Sequence, residues 1–254
     1  MKFVTLKKRG LAFGFLLVAL LALTGSGVYL AGAAPVYLGR TTRKLPIYSV
    51  ETPEKAVALT FDAAWGADKT ERLVATLTQN KVPATFFLVG FWVEEHADKL
   101  KLLDKAGIEI GTHSQTHPHM ARLTEAQVKE ELSTSAARIT AAINKPVTLF
   151  RAPFGEYSDR VLTVAEGLKL QTIQWDVDTL DWQNLSASEI AARVLNNAKN
   201  GSIILMHNDG KYTPEALPLI IEGLRAKGFG FKTVGELVYK EGYTIDHTGR
   251  QSKK

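Results

Sequence analysis

Side chains that can bind a metal or transfer a proton follow short apolar segments of this sequence, where those segments end. In chain order they are Asp62, His113, His117, Arg151, Asp176, Asp178, Asp181, His207 and Asp209. His113 and His117 are two imidazoles close together, which suits a divalent cation. Asp62 can act as a general base toward water, and His207 can act as a general acid toward a leaving group. These residue types predict metal-assisted hydrolysis of an acyl bond.

Charge suggests two supporting roles in such a site. Arg151 can pair with a carboxylate and orient it, and a carboxylate between residues 178 and 181 can hold His207 and stabilise its protonated form. Taken singly, each residue also has an ordinary structural explanation, because aspartates cap turns and helices. Their concentration after apolar segments favours an active site. The sequence contains no GxSxG, P-loop or GxGxxG motif, so serine-hydrolase, nucleotide and dinucleotide functions lack support.

The segments that must position these residues alternate between strand and helix patterns. Short apolar segments such as 56–61 and 84–89 predict buried strands, and the longer periodic segment 124–143 predicts a helix. Such alternation is typical of a parallel sheet with helical crossovers. We expect an α/β fold, a distorted (β/α) barrel of about seven parallel strands, with its active site at the carboxyl ends of the strands.

The N-terminal segment 1–34 predicts export or membrane attachment. Residues 1–9 are basic, and residues 10–34 carry no charge over a length that can span a bilayer as a helix. Residues 31–33 (Ala-Gly-Ala) have the form of a signal-peptide cleavage site, whereas the long apolar segment is equally consistent with an uncleaved anchor. Both alternatives place the chain after Pro35 outside the cytoplasm.

Composition and charge exclude several classes of protein. The 254-residue chain has no cysteine, which excludes a disulfide framework, a thiolate metal site and a catalytic thiol. The net charge of +5 resides at the two ends, so a nucleic-acid-binding core is not predicted. We expect four parts, namely a signal peptide or transmembrane anchor at 1–34, a tether at 35–54, the main domain at 55–240 and a polar tail at 241–254.

Five short motifs occur in the order found in one known family. They are Thr60-Phe61-Asp62, His113-Ser114-Gln115-Thr116-His117, Arg151-Ala152-Pro153-Phe154-Gly155, Asp178-Thr179-Leu180-Asp181-Trp182 and Leu205-Met206-His207. Over residues 55–240 the set resembles the polysaccharide deacetylases with a NodB-homology domain, carbohydrate esterase family 4. The resemblance implies removal of N-acetyl groups from N-acetylglucosamine or N-acetylmuramic acid polymers. Together with the export signal, residues 62–66 resemble the sporulation-associated branch, whose usual substrate is cell-wall or spore peptidoglycan.

The resemblance also implies a role for each motif residue. Asp62 would be the base, oriented by Arg151. His207 would be the acid, tuned by Asp181. The implied substrate contacts are Pro153, Phe154, Trp182 and Leu205, of which Trp182 and Leu205 would line the acetyl pocket. The implied metal ligands are His113 and His117, holding zinc, cobalt or nickel.

One position departs from the family pattern. The first motif usually has a second aspartate that binds the metal, and here that position is Ala63, whose methyl group cannot bind a cation. His113 and His117 then remain with waters or with a substitute carboxylate, for which Asp68 is the nearest candidate. Two alternatives follow, a weakly bound metal or lost catalysis.

Three functions therefore compete at this stage. The first is a metal-dependent N-deacetylase of cell-wall polysaccharide, because a pure binding module has no chemical need for Asp62, Arg151 and His207. The second is a non-catalytic glycan-binding envelope protein that has lost the metal aspartate. The third, a hydrolase of small amides or cyclic imides, is disfavoured by the export signal. The aromatic residues Trp65, Phe91 and Trp92 are candidates for stacking on sugar rings or for core packing.

Overall fold

The computed structural model describes residues 43–254. The signal or anchor predicted at 1–34, and the tether as far as residue 42, lie outside the described residues. Within the described range, no helix is long and apolar enough to cross a membrane. The described chain alternates strands and helices along most of its length.

The strands of residues 43–254, numbered in chain order, are β1 (Ser49–Val50), β2 (Ala56–Ala63), β3 (Ala84–Leu88), β4 (Glu109–Thr112), β5 (Leu149–Phe150), β6 (Gln171–Thr172), β7 (Val177–Asp178), β8 (Ile203–His207), β9 (Gly230–Lys232), β10 (Tyr243–Ile245) and β11 (Arg250–Lys253). The α-helices of the same range are α1 (Thr70–Gln79), α2 (Gly90–Glu95), α3 (Ala97–Lys105), α4 (Glu125–Ile143), α5 (Asp159–Gly167), α6 (Ala187–Asn197), α7 (Thr213–Ala226) and α8 (Val234–Leu237).

A parallel sheet forms the centre of the fold. Within residues 43–254 its seven main strands follow the order β6-β5-β4-β3-β2-β8-β7, and β9 also pairs with β2. All eight residues of β2 are buried, as expected for a parallel strand covered on both faces. The predicted α/β barrel of about seven parallel strands is confirmed, in the form of an open half-barrel.

Register in the sheet brings two distant residues side by side. β2 pairs in parallel with β3 and with β8, and Asp62 at the end of β2 is the register partner of His207 at the end of β8. Successive crossovers return the chain so that the ends of β4 and β5 lie on the same edge. The polar residues that follow these strands are therefore gathered at the carboxyl edge of the sheet.

Local signals locate the ends of several helices. A capping box is present at the start of α4, because Thr124 Oγ1 accepts from the Gln127 amide while Gln127 Oε1 accepts from the Thr124 amide. Residues 94–106 do not form a single helix. Two helices, α2 and α3, meet at His96, whose φ of −127° and ψ of 48° interrupt the helical backbone.

The two ends of the described chain differ from expectation. The tail predicted at 241–254 contains β10 and β11, which join β1 in a small three-stranded sheet. Gln251 is buried there, where its side chain donates to the Tyr239 carbonyl and accepts from the Tyr239 amide. A polar segment without apolar alternation thus forms a strand, because backbone pairing and these two bonds satisfy it.

Residues 47–50, within the predicted tether, also pack into the fold. Ile47 bridges to Ile173 beside β6, and Ser49 bridges to Ser202 beside β8. Ile47 and Val50 are buried in an apolar cluster with other strand and helix residues. Gly201, with φ +80°, admits this segment because a side chain there would collide with the Val50 carbonyl. The segment is therefore part of the folded domain rather than a free linker.

Candidate active site

A cleft of about 620 Å³ opens at the carboxyl edge of the sheet. The sequence-predicted site residues that line it are Asp62, His113, His117, Phe154, Asp181, Trp182, Leu205 and His207. Two others lie behind its wall, because Arg151 and Pro153 are buried and do not line the cleft. Ten residues singled out from separate motifs thus occupy one region of the molecule.

Asp62 is a buried carboxylate with a fixed cationic partner. Arg151 Nη1 donates to Asp62 Oδ1 over 2.8 Å and to Thr60 Oγ1 over 2.8 Å. Nη2 of the same guanidinium donates to the Gln174 carbonyl at 3.1 Å. The guanidinium carbon also lies 4.2 Å from the centre of the Phe87 ring. These contacts on several sides hold Arg151, and through it one oxygen of Asp62, in a single position.

Burial and neighbouring charges have opposite effects on the pKa of Asp62. Burial alone raises the pKa, but the positive charge of Arg151, with smaller contributions from the imidazoles of His113 and His207 and from the Arg151 hydrogen bond, outweighs burial and lowers the pKa below the ordinary value. Asp62 is therefore ionised at neutral pH. Its other oxygen, Oδ2, lies 3.5 Å from His113 Nε2.

His207 is held by a second buried carboxylate. Its Nδ1–H donates to Asp181 Oδ1 over 2.7 Å, and its backbone amide donates to Asp181 Oδ2 over 2.8 Å. The Thr213 hydroxyl also donates to Asp181 Oδ2, over 2.6 Å. Asp181 is fully buried, so its charge acts on His207 without screening by solvent. This arrangement fixes the imidazole tautomer and leaves Nε2 as the second proton-bearing position.

The pKa of His207 is raised despite its surroundings. Burial lowers the pKa, but the hydrogen bond to Asp181 and the charges of Asp181 and Asp62 raise it above the ordinary value. A raised pKa keeps the imidazolium form present to higher pH, which suits a group that must donate a proton. The cleft therefore presents an ionised carboxylate and a protonation-prone imidazole on neighbouring strands.

His113 and His117 form a pair of neutral imidazoles, with ring centres 4.9 Å apart. His113 Nδ1–H donates to the Arg151 carbonyl over 2.8 Å, which leaves Nε2 with a free lone pair. His117 Nδ1 is buried and has no hydrogen-bond partner. Burial, followed by the charge of His113, lowers the pKa of His117 to about 4, and burial also lowers the pKa of His113. Both rings are thus in the form that binds a cation.

The third ligand of a metal site is missing from the described side chains. Ala63 occupies the position discussed above and is fully buried. Asp68, the substitute considered from sequence, is exposed and lies 3.4 Å from the Lys69 ammonium, outside the cleft lining. Among residues 43–254, no group of three or more His, Cys, Asp or Glu side chains is placed to hold a metal. The two imidazoles fit a cation, but a catalytic zinc site usually has three protein ligands.

The loop that carries the two imidazoles is held by a glutamate on α4. Glu131 accepts from the amides of Gln115 and Thr116 at 2.9 and 2.8 Å, and from the Thr116 hydroxyl at 2.7 Å. Within this loop Ser114 and His117 have φ values of 71° and 58°, in the left-handed region. Such strain is maintained only where surrounding bonds determine it, as at many functional sites.

Aromatic side chains surround the mouth of the cleft. Trp65, Phe154 and Trp182 are all more than half exposed. Trp92, by contrast, is fully buried and donates from Nε1 to the Gly66 carbonyl, and Phe91 packs partly buried against the core. Of the three aromatics considered from sequence, only Trp65 is displayed at the site.

Some site residues were not recognised from the sequence. Trp175, Asn208 and Lys211 line the cleft, although none lies in a motif that carries chemistry. Asp209, noted only by its position after a strand, also lines it. Asp176 turns away instead and accepts from the Ser202 hydroxyl and the Ile203 amide. Proximity to His207 in the chain was the one signal for Asn208, whose amide donates to the Asp62 carbonyl.

Known proteins share this sequence and fold. Residues 49–173 match the family model described as polysaccharide deacetylase. A peptidoglycan-N-acetylglucosamine deacetylase of Bacillus cereus is 33% identical over 196 residues, covering 75% of this chain and 92% of that protein. The uncharacterized protein YlxY of Bacillus subtilis is 36% identical over 193 residues, covering 76% of this chain and 60% of its own length.

A solved structure from Bacillus anthracis is also similar. It is described as a pseudoenzyme of carbohydrate esterase family 4, with a TM-score of 0.74 and 33% identity, and the match covers 82% of this chain and 73% of that chain. A mutant of that pseudoenzyme, described as having restored enzymatic activity, has the same TM-score with 36% identity, covering 77% of this chain and 71% of its own. The similarity thus includes both a named deacetylase and a named pseudoenzyme.

Proposed function

Because this chain belongs to the polysaccharide deacetylase family, we propose that it hydrolyses N-acetyl groups on the N-acetylglucosamine or N-acetylmuramic acid residues of peptidoglycan or a related cell-wall polysaccharide. One observation carries the proposal. Asp62 and His207 are register partners at the ends of neighbouring strands, and each has its own buried partner of opposite charge.

The proposed reaction assigns each proton to a side chain. Asp62 accepts a proton from the attacking water while the water oxygen forms a bond to the acetyl carbonyl carbon. His207 donates a proton to the sugar nitrogen as the carbon–nitrogen bond breaks, which gives acetate and a free amine. Arg151 keeps Asp62 ionised and oriented, and Asp181 does the same for His207 in its protonated form. A divalent cation at His113 and His117 would supply Lewis-acid polarisation of the carbonyl when bound.

The acetyl group needs an apolar recess beside these groups. Leu205 lies on β8 two residues before His207, and its side chain lines the cleft while being 3% exposed. Trp182 follows Asp181 and also lines the cleft. We assign Leu205 and Trp182 to the acetyl methyl group, and Phe154 to the bound glycan. Pro153, the fourth substrate contact implied by the resemblance, is buried and outside the cleft lining.

The proposal extends to the place where the protein works. The deacetylase relative from Bacillus cereus is named for peptidoglycan, which supports an extracytoplasmic substrate for this chain. Attachment through residues 1–34 and a role in sporulation stay predictions from the sequence.

A second candidate is favoured by Ala63. In the family pattern this position carries an aspartate that binds the metal, and a family member of similar fold is described as a pseudoenzyme. A protein that binds cell-wall glycan without hydrolysing it fits that observation. The buried Asp62–Arg151 pair argues for catalysis instead, because ion pairs are costly to bury and carboxylates with strongly perturbed pKa values are concentrated at functional sites.

Acetate release decides between the two candidates. The full chain in detergent, stripped of metal and then given zinc, cobalt or nickel singly, is incubated with N-acetylglucosamine oligomers and with peptidoglycan. We expect release that requires a cation and that is lost in the Asp62→Asn variant. Glycan binding without release under any cation would support the non-catalytic candidate and contradict the proposal.

A further inference from the structure

The exposed aromatic side chains are concentrated at one place. Among the described residues, the large hydrophobic side chains with high exposure are Trp65 (60%), Phe154 (55%), Trp182 (58%) and Leu219 (44%). The three aromatic ones line the same cleft, and only Leu219 on α7 lies elsewhere. Exposed apolar side chains that cluster around a cleft usually mark a ligand surface.

The loop that carries Trp65 is rigidly held. The carbonyl of the next residue, Gly66, accepts from Trp92 Nε1 at 2.7 Å and from Asn208 Nδ2 at 2.8 Å. Gly66 has φ +62°, and a side chain there would collide with the Asp209 carboxylate. Lys69 Nζ also donates to Asp209 over 2.7 Å. The indole of Trp65 is therefore displayed by a fixed backbone rather than left exposed by a loose loop.

Trp65 and Phe154 both contact His117 edge-on. The ring centres of Trp65 and His117 lie 4.8 Å apart, and those of Phe154 and His117 lie 4.5 Å apart. Phe154 is held with φ 58°, in the left-handed region, and stacks on His119 at 4.5 Å. Backbone strain at a non-glycine residue is maintained where the position of the side chain matters. Both rings therefore lie on the His117 side of the cleft that also contains Asp62 and His207.

The chemistry of the two rings suits a sugar. A pyranose ring has a face of C–H groups that packs on an aromatic ring, while its hydroxyl groups stay in water. An exposed, rigid indole has the apolar area and the low conformational freedom that such packing needs. The Trp65 indole itself packs near the rings of Phe91 and His117, with ring centres 6.4 and 4.8 Å away.

We infer that Trp65, together with Phe154, binds the pyranose ring next to the one that carries the reacting N-acetyl group. The inference rests on the proposed function, because it takes the cleft as a glycan site. It makes Trp65 a specificity-determining residue. The ligand class is a chain of linked N-acetylhexosamines rather than a single sugar.

Binding of two probes tests this inference. The full chain in detergent, carrying Asp62→Asn so that the glycan stays intact, is titrated calorimetrically with N-acetylglucosamine and with its β-1,4-linked tetramer. We expect Trp65→Ala to lower the ratio of tetramer to monomer affinity at least tenfold. Trp65→Phe, which keeps an aromatic ring, should restore most of that ratio.

Leu219→Ala is the matched control, because it removes an exposed apolar side chain outside the cleft. It should leave the ratio as in the parent, and thermal unfolding should show that the variants are folded. An unchanged ratio in Trp65→Ala, equal losses in Trp65→Phe, or a parent that binds no tetramer would each overturn the inference. Absence of acetate release from the protein with Asp62 intact would overturn the proposed activity alone, because the binding ratio does not depend on turnover.

Discussion

The cleft has two sides that differ in how many of their polar groups have partners. On the acid–base side, Asp62 and His207 each have a buried partner, and every charge is matched. On the imidazole side, His113 and His117 have free nitrogens, while the position that carries a metal-binding aspartate in the family pattern is Ala63, which is buried. The first side is fully paired, and the second has no third ligand among the described residues. Because the two sides use different residues, proton transfer and metal binding can be tested separately by substitution.

The largest effect is expected on the acid–base side. Asp62→Asn removes the base and His207→Ala removes the acid, so each should lower acetate release at least about 10²-fold, as is usual for lost acid–base catalysis. Steady-state release from N-acetylglucosamine oligomers measures it. Release at the parental rate in both variants would mean that this side is not the catalytic one.

Ala63→Asp would give the imidazole side a third metal ligand. Ala63 is fully buried, so an added carboxylate should lower the melting temperature of the protein in the presence of a chelator. Zinc or cobalt should restore the melting temperature, because binding to the folded state stabilises that state. We expect the cation affinity to rise by about tenfold or more. Calorimetric titration with zinc measures it, and Ala64→Asp on the adjacent residue is the control. Equal zinc affinity in the parent and Ala63→Asp would show that the side is not short of a ligand.

Asp181→Asn should change the pH dependence of catalysis. Asp181 raises the pKa of His207, so its neutral replacement should lower that pKa. A general acid loses its proton as pH rises through its pKa, so the alkaline limb of kcat/KM should move to lower pH. At pH 8 we expect kcat/KM to be about tenfold lower. If the alkaline limb of kcat/KM stays at the same pH as in the parent, the group that titrates there is not His207.

The hydrogen bond between Asp181 and His207 also makes the stability of the fold depend on pH. Because the folded-state pKa of His207 is raised, its stabilisation is fully present below the unfolded-state pKa and is lost as pH rises through the folded-state value. The free energy of unfolding of Asp181→Asn should therefore differ most from the parent at low pH within the range where both fold.

The smallest effect is expected from loss of the hydrogen bond between Thr213 and Asp181. Thr213→Val removes one donor to Asp181 Oδ2 and leaves the two bonds from His207. We expect a loss of about 1 kcal/mol in the free energy of unfolding, measured by urea denaturation, with only a small change in kcat. A loss in kcat as large as that of Asp181→Asn would show that Thr213, rather than His207, fixes the carboxylate.

Much of the fold was predictable because its signals are local. The apolar segments 56–61 and 84–89 located β2 and β3, and the periodic segment 124–143 located α4. The residues of the site followed from their position after strands, since parallel strands end at one edge. What failed was the short strand β11, where pairing across the chain overrides the absence of an apolar pattern.

The finer geometry of the site was not predictable. Asp176 and Asp181 look alike in the sequence, yet one holds the start of β8 and the other holds His207. Asp181 lies between β7 and α6, where Leu180 and Asn184 adopt left-handed conformations that no local sequence signal predicts. Exposure is similarly hidden, because Trp65 and Trp92 differ only after the loop around Gly66 is fixed.

The pairing of β1 with β11 has a consequence for the order of folding. Ser49 and Arg250, which are register partners, lie roughly two hundred residues apart in the chain. Closing so long a loop has an entropic cost that only contacts made after most of the domain exists can offset. The strands of the half-barrel lie between residues 56 and 232, so they can pair before β11 has been made, whereas β1 cannot meet β11 until residues 250–253 exist. The pairing of β1 with β11 is therefore a late step that follows formation of the half-barrel.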